Sequence, residues 1–395
     1  MYKKRRALLL DMLHEMYPEV ERGVVVFFAG FEDSRYIFRQ ESSFYYFTGI
    51  NEPGAVTCLY WDGREELFLP KYSRAREQWA TTASLGGHSF DMKSLGKPCQ
   101  SYYMKPFFYE DEYENVIKDL KDYLGKQGLL LTLLDQSNDS YFFPIHRFEN
   151  LFSCMSLIAE QVADISPMVA SLRRKKDDHE LELLSQAIEV TKKAHLAVAQ
   201  TIKPDMYEYE LQAEIERVFT KQHAQIAFPS IVAAGKNSTV LHYMDRDKKL
   251  QKGDLVVVDI GAQVGLYCAD MTRTYPVSGL FTDRQQKVYD IVLELQTYIA
   301  SRAKPGSFLQ NSAVPERSLH HMAEQFLEER GLKQYFVHGI GHFLGLDVHD
   351  VGDLGIPLGV GDVITIEPGL YFPKENIGVR IEDVFVITHE GCKKL

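Results

Sequence analysis

The tightest constraint on this fold is the run Leu255-Val-Val-Val-Asp259. Consecutive β-favouring apolar residues describe a strand buried on both faces. An aspartate closing such a strand is costly unless something compensates its charge. The pattern recurs with Asp270 in Tyr267-Cys-Ala-Asp-Met-Thr-Arg273, Glu367 in Val363-Ile-Thr-Ile-Glu-Pro-Gly369 and Glu382 in Val379-Arg-Ile-Glu-Asp-Val384. Gly261 and Gly265 fall between the two aspartates, so their segments can pair as a hairpin. In the last run, alternation puts Arg380 and Glu382 on one face and Ile381 and Asp383 on the other. Either acid can be the buried one on that ground alone.

Singly, each acid reads as an ion pair or a turn cap. Together on apolar strands they need cations. Histidines add to them. His338-Gly-Ile-Gly-His342-Phe-Leu-Gly-Leu-Asp-Val-His349 places three imidazoles in a glycine-rich apolar tract, and His242 lies in Val240-Leu-His-Tyr243. HxxxH spacing would align His338 and His342 on a helix, but Gly339, Gly341 and Gly345 favour an extended or looped segment. Carboxylates with one imidazole suit hard divalent ions, Mn²⁺, Co²⁺ or Fe²⁺, with Zn²⁺ also allowed. Bridging carboxylates can hold two such ions, which activate a water and polarise a carbonyl or phosphoryl oxygen. These residue types describe a dinuclear metallohydrolase and leave amide and phosphate ester open.

The chain is long enough for two domains at 395 residues. Its formal net charge of −11 argues against nucleic acid or an anionic membrane as partner. The cysteines, Cys58, Cys99, Cys154, Cys268 and Cys392, are scattered and form no CxxC, so a reduced, cytoplasmic setting is the simplest. No uncharged apolar stretch is long enough to span a membrane. Met1-Tyr-Lys-Lys-Arg-Arg-Ala-Leu-Leu-Leu-Asp mimics a secretion signal, but Asp11, His14 and Glu15 interrupt it, and it reads as an amphipathic helix.

Short strands (Gly23–Phe28, Ala55–Tyr60, Leu129–Leu134) alternating with helical stretches such as Tyr113–Tyr123 predict an α/β domain over residues 1–165. The aromatic tract from Tyr36 to Glu52 reads as a packed core edge. A boundary is expected near Ile165-Ser-Pro-Met168. The basic tetrad Arg173-Arg-Lys-Lys176 reads as a solvated linker, and a long helix follows from Asp177 to Thr201. A capping box at Thr282 and Gln285 opens a helix carrying Val288, Ile291, Val292, Leu295 and Ile299. A third helix carries Leu319, Met322, Phe326 and Leu327 and stops at Gly331. Strands are expected at Leu255–Ile260, Leu266–Val277, Val363–Glu367 and Gly378–Thr388. Residues 166–395 therefore form a mixed α/β body with a sheet built from sequence-distant hairpins.

These motifs resemble the aminopeptidase P and prolidase branch of the pita-bread metallopeptidases. The likeness rests on Phe228-Pro-Ser-Ile-Val232 to His242-Tyr243, Val258-Asp-Ile-Gly261 with Ala269-Asp-Met-Thr-Arg-Thr274, His338-Gly-Ile-Gly-His342 with Asp347-Val-His-Asp350, Glu367-Pro-Gly369 and Arg380-Ile-Glu-Asp383. In the first domain, Phe38-Arg-Gln-Glu-Ser-Ser-Phe-Tyr-Tyr-Phe-Thr-Gly49 with Asn51-Glu-Pro53 is similar to the aminopeptidase P N-terminal domain. The resemblance implies an α/β chain. Its N-terminal α/β domain, like those of creatinase and prolidase, serves oligomerisation and substrate access, and an α+β pita-bread catalytic domain follows. It implies two divalent ions, usually Mn²⁺. Asp259 would hold one, Asp270 and Glu382 would bridge both, and His342 and Glu367 would hold the other, which prefers Glu382 over Asp383.

The same resemblance gives His242 and His349 to the tetrahedral intermediate, His338 and Tyr371 to the substrate, Glu367 to proton transfer after attack by a bridging hydroxide, and Arg380 to orienting the ligands. Substrates would be peptides with proline second, and the assembly a homodimer or homotetramer. A prolidase-type dipeptidase, a creatinase-like hydrolase, a dinuclear phosphoesterase and a metal-free binding protein are the rivals. One departure from the family pattern is Val351-Gly-Asp-Leu-Gly-Ile-Pro-Leu-Gly-Val-Gly-Asp362, which is short and has no basic residue where many relatives carry an arginine. Trp79 falls where the family's N-terminal domain reaches towards a neighbouring subunit.

Overall fold

The structure, a computed structural model, describes residues 1–30, 37–69, 91–94, 114–134 and 160–395. Tyr36, Trp79, Cys99 and Cys154 lie outside them. The chain divides into two compact units, Met1–Leu172 and Arg173–Leu395.

Among the described residues the first unit is a six-stranded mixed sheet with helices. In chain order it contains α1 (Tyr2–Met16), β1 (Gly23–Phe28), α2 (Ser42–Thr48), β2 (Val56–Tyr60), β3 (Glu65–Leu69), β4 (Asp91–Ser94), α3 (Glu114–Leu124), β5 (Leu129–Thr132), β6 (Gln161–Asp164) and α4 (Ser166–Arg174). The strand order is β4-β3-β2-β1-β5-β6. One face of α3, with Val116, Leu120 and Leu124, packs on Val24, Val26, Val56, Cys58 and Leu130. The amphipathic α1 forms as expected, but Arg5 and Arg6 turn inward. Arg6 makes a two-pronged pair with Glu65, at 3.0 and 2.7 Å, and donates to the Phe47 carbonyl at 2.8 Å. Phe44, Tyr46 and Phe47 of the aromatic tract are buried, as a core edge requires.

The second unit carries helices α5 (Asp178–Thr201), α6 (Glu208–Lys221), α7 (Asp283–Ala300) and α8 (Leu319–Glu328). Its strands are β7 (Gln225–Ile226), β8 (Ile231–Ala234), β9 (Leu255–Ile260), β10 (Ala262–Val264), β11 (Tyr267–Cys268), β12 (Met271–Pro276), β13 (Val363–Ile366), β14 (Gly369–Phe372), β15 (Ile377–Arg380), β16 (Asp383–Thr388) and β17 (Gly391–Lys394). They form small sheets, β8-β9-β12, β7-β10-β11, β13-β16-β17 and β14-β15, so one continuous sheet is replaced by several. The predicted capping box forms, and the structure adds a second. Thr282 caps α7 against Gln285, and Asp177 with Glu180 does the same for α5.

Two helix pairs cover two half-cores. Val190, Ala194 and Val198 of α5 and Leu211, Ile215 and Phe219 of α6 meet Val256, Val258 and Ile260 of β9. Val288, Val292, Leu295 and Ile299 of α7, with Leu319, Ala323, Phe326 and Leu327 of α8, meet Ile364, Ile366, Val379 and Ile381. In each strand the core residues are alternate ones, so the residues between them face away from the helices. That parity sends Asp259, Glu367, Arg380 and Glu382 to the opposite face.

The basic tetrad is corrected by the structure. Arg173, Arg174 and Lys176 are buried rather than solvated. Arg173 pairs with Asp347 and Asp350, Arg174 with Asp362, and Lys176 Nζ with Asp350 at 3.0 Å. Buried charges persist when each has a close partner of opposite sign.

Candidate metal centre

Backbone bends present the acids. The two predicted strands Leu266–Val277 and Gly378–Thr388 are each interrupted, the first at Ala269–Asp270 and the second at Ile381–Glu382. Glu367 lies at the corresponding break between β13 and β14. At each break the strand stops pairing with one partner and starts with another. Ile366 pairs with Asp383, while Gly369 pairs with Arg380. Across the other half, β9 and β12 pair antiparallel, with Thr272 opposite Asp259. The two halves are joined where the Glu382 N–H donates to the Thr272 carbonyl at 3.1 Å and the Thr274 hydroxyl donates to the Arg380 carbonyl at 3.0 Å.

The His338–Asp350 tract is not helical. A Cβ on Gly341 would stand 2.1 Å from the Thr365 carbonyl oxygen, so only glycine lets this segment lie against β13. His342 is thereby placed beside the acids. Its N–H donates to Thr365 Oγ1 at 3.0 Å. Its Nδ1 is 3.0 Å from the Phe343 carbonyl, which accepts only, so Nδ1 carries the proton and Nε2 is left as a lone-pair donor. That Nε2 lies 3.4 Å from Asp270 Oδ2, 3.4 Å from Glu367 Oε1 and 3.9 Å from Glu382 Oε1. Ligand atoms of Asp270, His342 and Glu382 all fall within 4.8 Å of one another.

Asp259 meets the cluster from β9. Its Oδ2 accepts from Arg380 Nη2 at 2.7 Å. Arg380 also donates from Nε to Thr272 Oγ1 at 3.2 Å and from Nη1 to the Tyr371 hydroxyl at 2.9 Å. Tyr371 in turn reaches His338 Nε2 at 2.9 Å. His338 Nδ1 faces the Gly339 carbonyl at 2.7 Å, so it holds the proton and Nε2 accepts from Tyr371. His349 stacks edge-on against His342, ring centroids 4.4 Å apart. His242 is exposed and close enough to His349 for their charges to interact. The sequence-predicted residues are therefore brought together in this unit. Glu382 faces the cluster, and Asp383 is buried too, paired with Arg273 and Lys394.

The electrostatics are those of a cation site. Burial, then Asp259 and Glu367, raise the Asp270 carboxyl well above its usual range. Burial, then Asp270, Glu367 and Asp259, do the same to Glu382. Burial raises Glu367, with His342 and Arg380 opposing. Asp259 Oδ1, Asp270 Oδ1 and Glu382 Oε1 are buried with no hydrogen-bond partner among the described residues. Buried carboxylate oxygens without partners, on acids grouped with one imidazole lone pair, fit divalent metal ions. For Arg380 burial pulls downward, but Tyr371, Asp259 and Glu382 outweigh it and hold the guanidinium charged. Burial and the Arg380 charge press His338 down to about 4, and burial with the His342 and His242 rings takes His349 to about 4, so both are neutral near pH 7.

Two hydroxyls belong with this set and were not among the predicted site residues. Thr272 Oγ1 donates to Glu382 Oε2 at 2.7 Å, and Thr365 Oγ1 to Glu367 Oε1 at 3.3 Å. Each stands two residues from a cluster acid, Asp270 or Glu367, so strand alternation was the available signal.

Comparison with known proteins agrees with this geometry. A family model described as metallopeptidase family M24 matches residues 182–389, and one described as the aminopeptidase P N-terminal domain matches residues 2–86. An Xaa-Pro aminopeptidase of Haemophilus influenzae is 32% identical over 393 residues, covering 92% of this chain and 86% of that protein. An Xaa-Pro dipeptidase of Pyrococcus furiosus is 37% identical over 236 residues, 58% of this chain and 65% of the relative. The solved structure of proline aminopeptidase P II from Yersinia pestis superposes with a TM-score of 0.81 at 29% identity, covering 100% of this chain and 94% of that one. Among the described residues no helix is long and apolar enough to cross a membrane. With its carboxylate and histidine cluster on paired, bent strands, this chain belongs to metallopeptidase family M24.

Proposed function

We propose that this chain is a metal-dependent Xaa-Pro aminopeptidase, releasing the first residue of peptides with proline in second position. The observation that carries the reading is the convergence of Asp270, His342 and Glu382 within 4.8 Å, in a chain similar over 92% of its length to an Xaa-Pro aminopeptidase. Asp259, Asp270, His342, Glu367 and Glu382 would hold two divalent ions. The oxygen-rich donor set favours Mn²⁺, with Co²⁺, Fe²⁺ and Zn²⁺ as competitors. When bound, the ions would supply an activated water and polarise the scissile carbonyl.

The chain's own residues do the rest. Glu367, held above its usual range by burial, is a carboxylate that can take a proton and pass it to the departing proline nitrogen. An Xaa-Pro bond is a tertiary amide and offers no N–H for strand-like recognition. Neutral His349, with His242 on the exposed side, can donate a hydrogen bond to the oxygen that gains charge. His338 and Tyr371 form a hydrogen-bonded pair beside Gly369 and would contact the substrate. Arg380 fixes Asp259 in place and neutralises part of the cluster's charge.

A dipeptidase is the alternative that one observation favours. The segment from Val351 to Asp362 has no basic residue to meet a longer peptide's backbone or a substrate carboxylate. Incubating Ala-Pro-Ala and Ala-Pro with Mn²⁺, with and without chelator, decides it. Chelator-sensitive release of alanine from the tripeptide is the expected result. Cleavage of the dipeptide alone would make the chain a dipeptidase.

A further inference from the structure

Helix α7 buries Val288, Val292, Leu295 and Ile299, and Gln296 is buried beside them, 6% exposed. An amide in such surroundings is costly unless it is hydrogen-bonded. Its Nε2 lies 3.0 Å from the Ile366 carbonyl, 3.3 Å from the Ile381 carbonyl and 3.2 Å from Asp383 Oδ2. Ile366 immediately precedes Glu367. Ile381 precedes Glu382, and Asp383 follows it. One amide therefore ties together the two bends at which β13 gives way to β14 and β15 to β16.

We propose that Gln296 is a positioning residue that sets the separation of the Glu367 and Glu382 carboxylates, and through it the affinity of the cluster for divalent ions. The proposal rests on the metal-ligand reading above. The bends need such a tie. At a break in a ladder the backbone carbonyls lose their strand partners, and a buried carbonyl must find another donor. The Gln296 amide supplies two N–H groups, shared among three acceptors. Arg273 braces the same bend from the other half, donating to the Glu382 carbonyl at 2.6 Å and pairing with Asp383. The helix core that α7 anchors makes Gln296 a fixed point. Groups that orient ligands from behind a metal site are worth about 10–100-fold in metal affinity.

The test is Mn²⁺ titration by calorimetry, with the visible absorption of the Co²⁺-loaded protein as a report on ligand geometry. The variants are Gln296→Met, of similar volume with no donor, and Gln296→Asn, which keeps the amide one methylene short. Ile299→Val is the control, because it loosens the same helix face and leaves the Gln296 hydrogen bonds to both bends in place. Gln296→Met is expected to bind Mn²⁺ about 10–100-fold more weakly and to change the Co²⁺ spectrum. Ile299→Val is expected to lower the melting temperature and leave both readouts unmoved. If Gln296→Met does not fold, Gln296→Asn carries the same expectation. Wild-type affinity and an unchanged spectrum in the folded variant would overturn the proposal alone. A wild-type chain that binds no Mn²⁺ would overturn the metal assignment, and this proposal with it.

Discussion

Replacing Glu367 by glutamine is expected to lower kcat on Ala-Pro-Ala by roughly 10²–10⁴-fold, the range a positioned proton acceptor supplies. The fold should survive. Glutamine keeps the side chain's length, and its amide oxygen can still accept from Thr365 Oγ1, which now meets Glu367 Oε1 at 3.3 Å. Burial already raises this carboxyl, so a neutral replacement removes a desolvation cost rather than adding one. Steady-state kinetics beside thermal unfolding checks both halves. Turnover near wild type would remove Glu367 from the proton-transfer role. Lost turnover with a collapsed melting curve would instead make it structural.

The metal-free protein should have a stability maximum set by two opposing groups. Asp270, Glu367 and Glu382 are held above their unfolded values, so their protonated forms favour the folded state. Their contribution is full at low pH and is lost as pH rises through the folded values. His195 and His338 run the other way. Burial takes both to about 4, so below the unfolded value of about 6.5 the unfolded chain gains protons that the folded chain refuses. Acidifying metal-free protein from the alkaline side should raise its melting temperature as the carboxyls take up protons, and acidifying on through about pH 6.5 should lower it again as the histidine contribution is lost. Saturating Mn²⁺ should raise the melting temperature most at the alkaline end, where the ligands are deprotonated. Differential scanning calorimetry across that range checks the signs. A metal-free melting temperature that rises steadily with pH would contradict them.

The acids and most strands of the second unit are legible in the sequence because their physics is local. A valine run closed by an aspartate costs the same wherever it occurs, and period-two alternation points Arg380 and Glu382 to one face. The bends are not legible. Alternation extends unbroken through Asp270 and Glu382, and only the change of pairing partner shows that the strand ends there. Gln296 is hidden for a related reason. A single polar residue on an apolar helix face says nothing about acceptors 70 and 85 residues away. The basic tetrad misleads in the same manner, since Arg173 finds its aspartates 174 and 177 positions further along. Parity alone makes Glu382 and Asp383 alternatives, yet both are buried because Arg273, Lys394 and Gln296 serve the second. Family resemblance supplied the residue roles that parity left open.

The measurement that tests the metal cluster most directly is a count of Mn²⁺ ions bound per chain at equilibrium, in wild type and in Glu382→Ala. Wild type should bind two ions, and Glu382→Ala, which removes a ligand, should bind fewer and more weakly. No binding by wild type, or full binding by Glu382→Ala, would contradict the assignment of this cluster as a dinuclear metal centre.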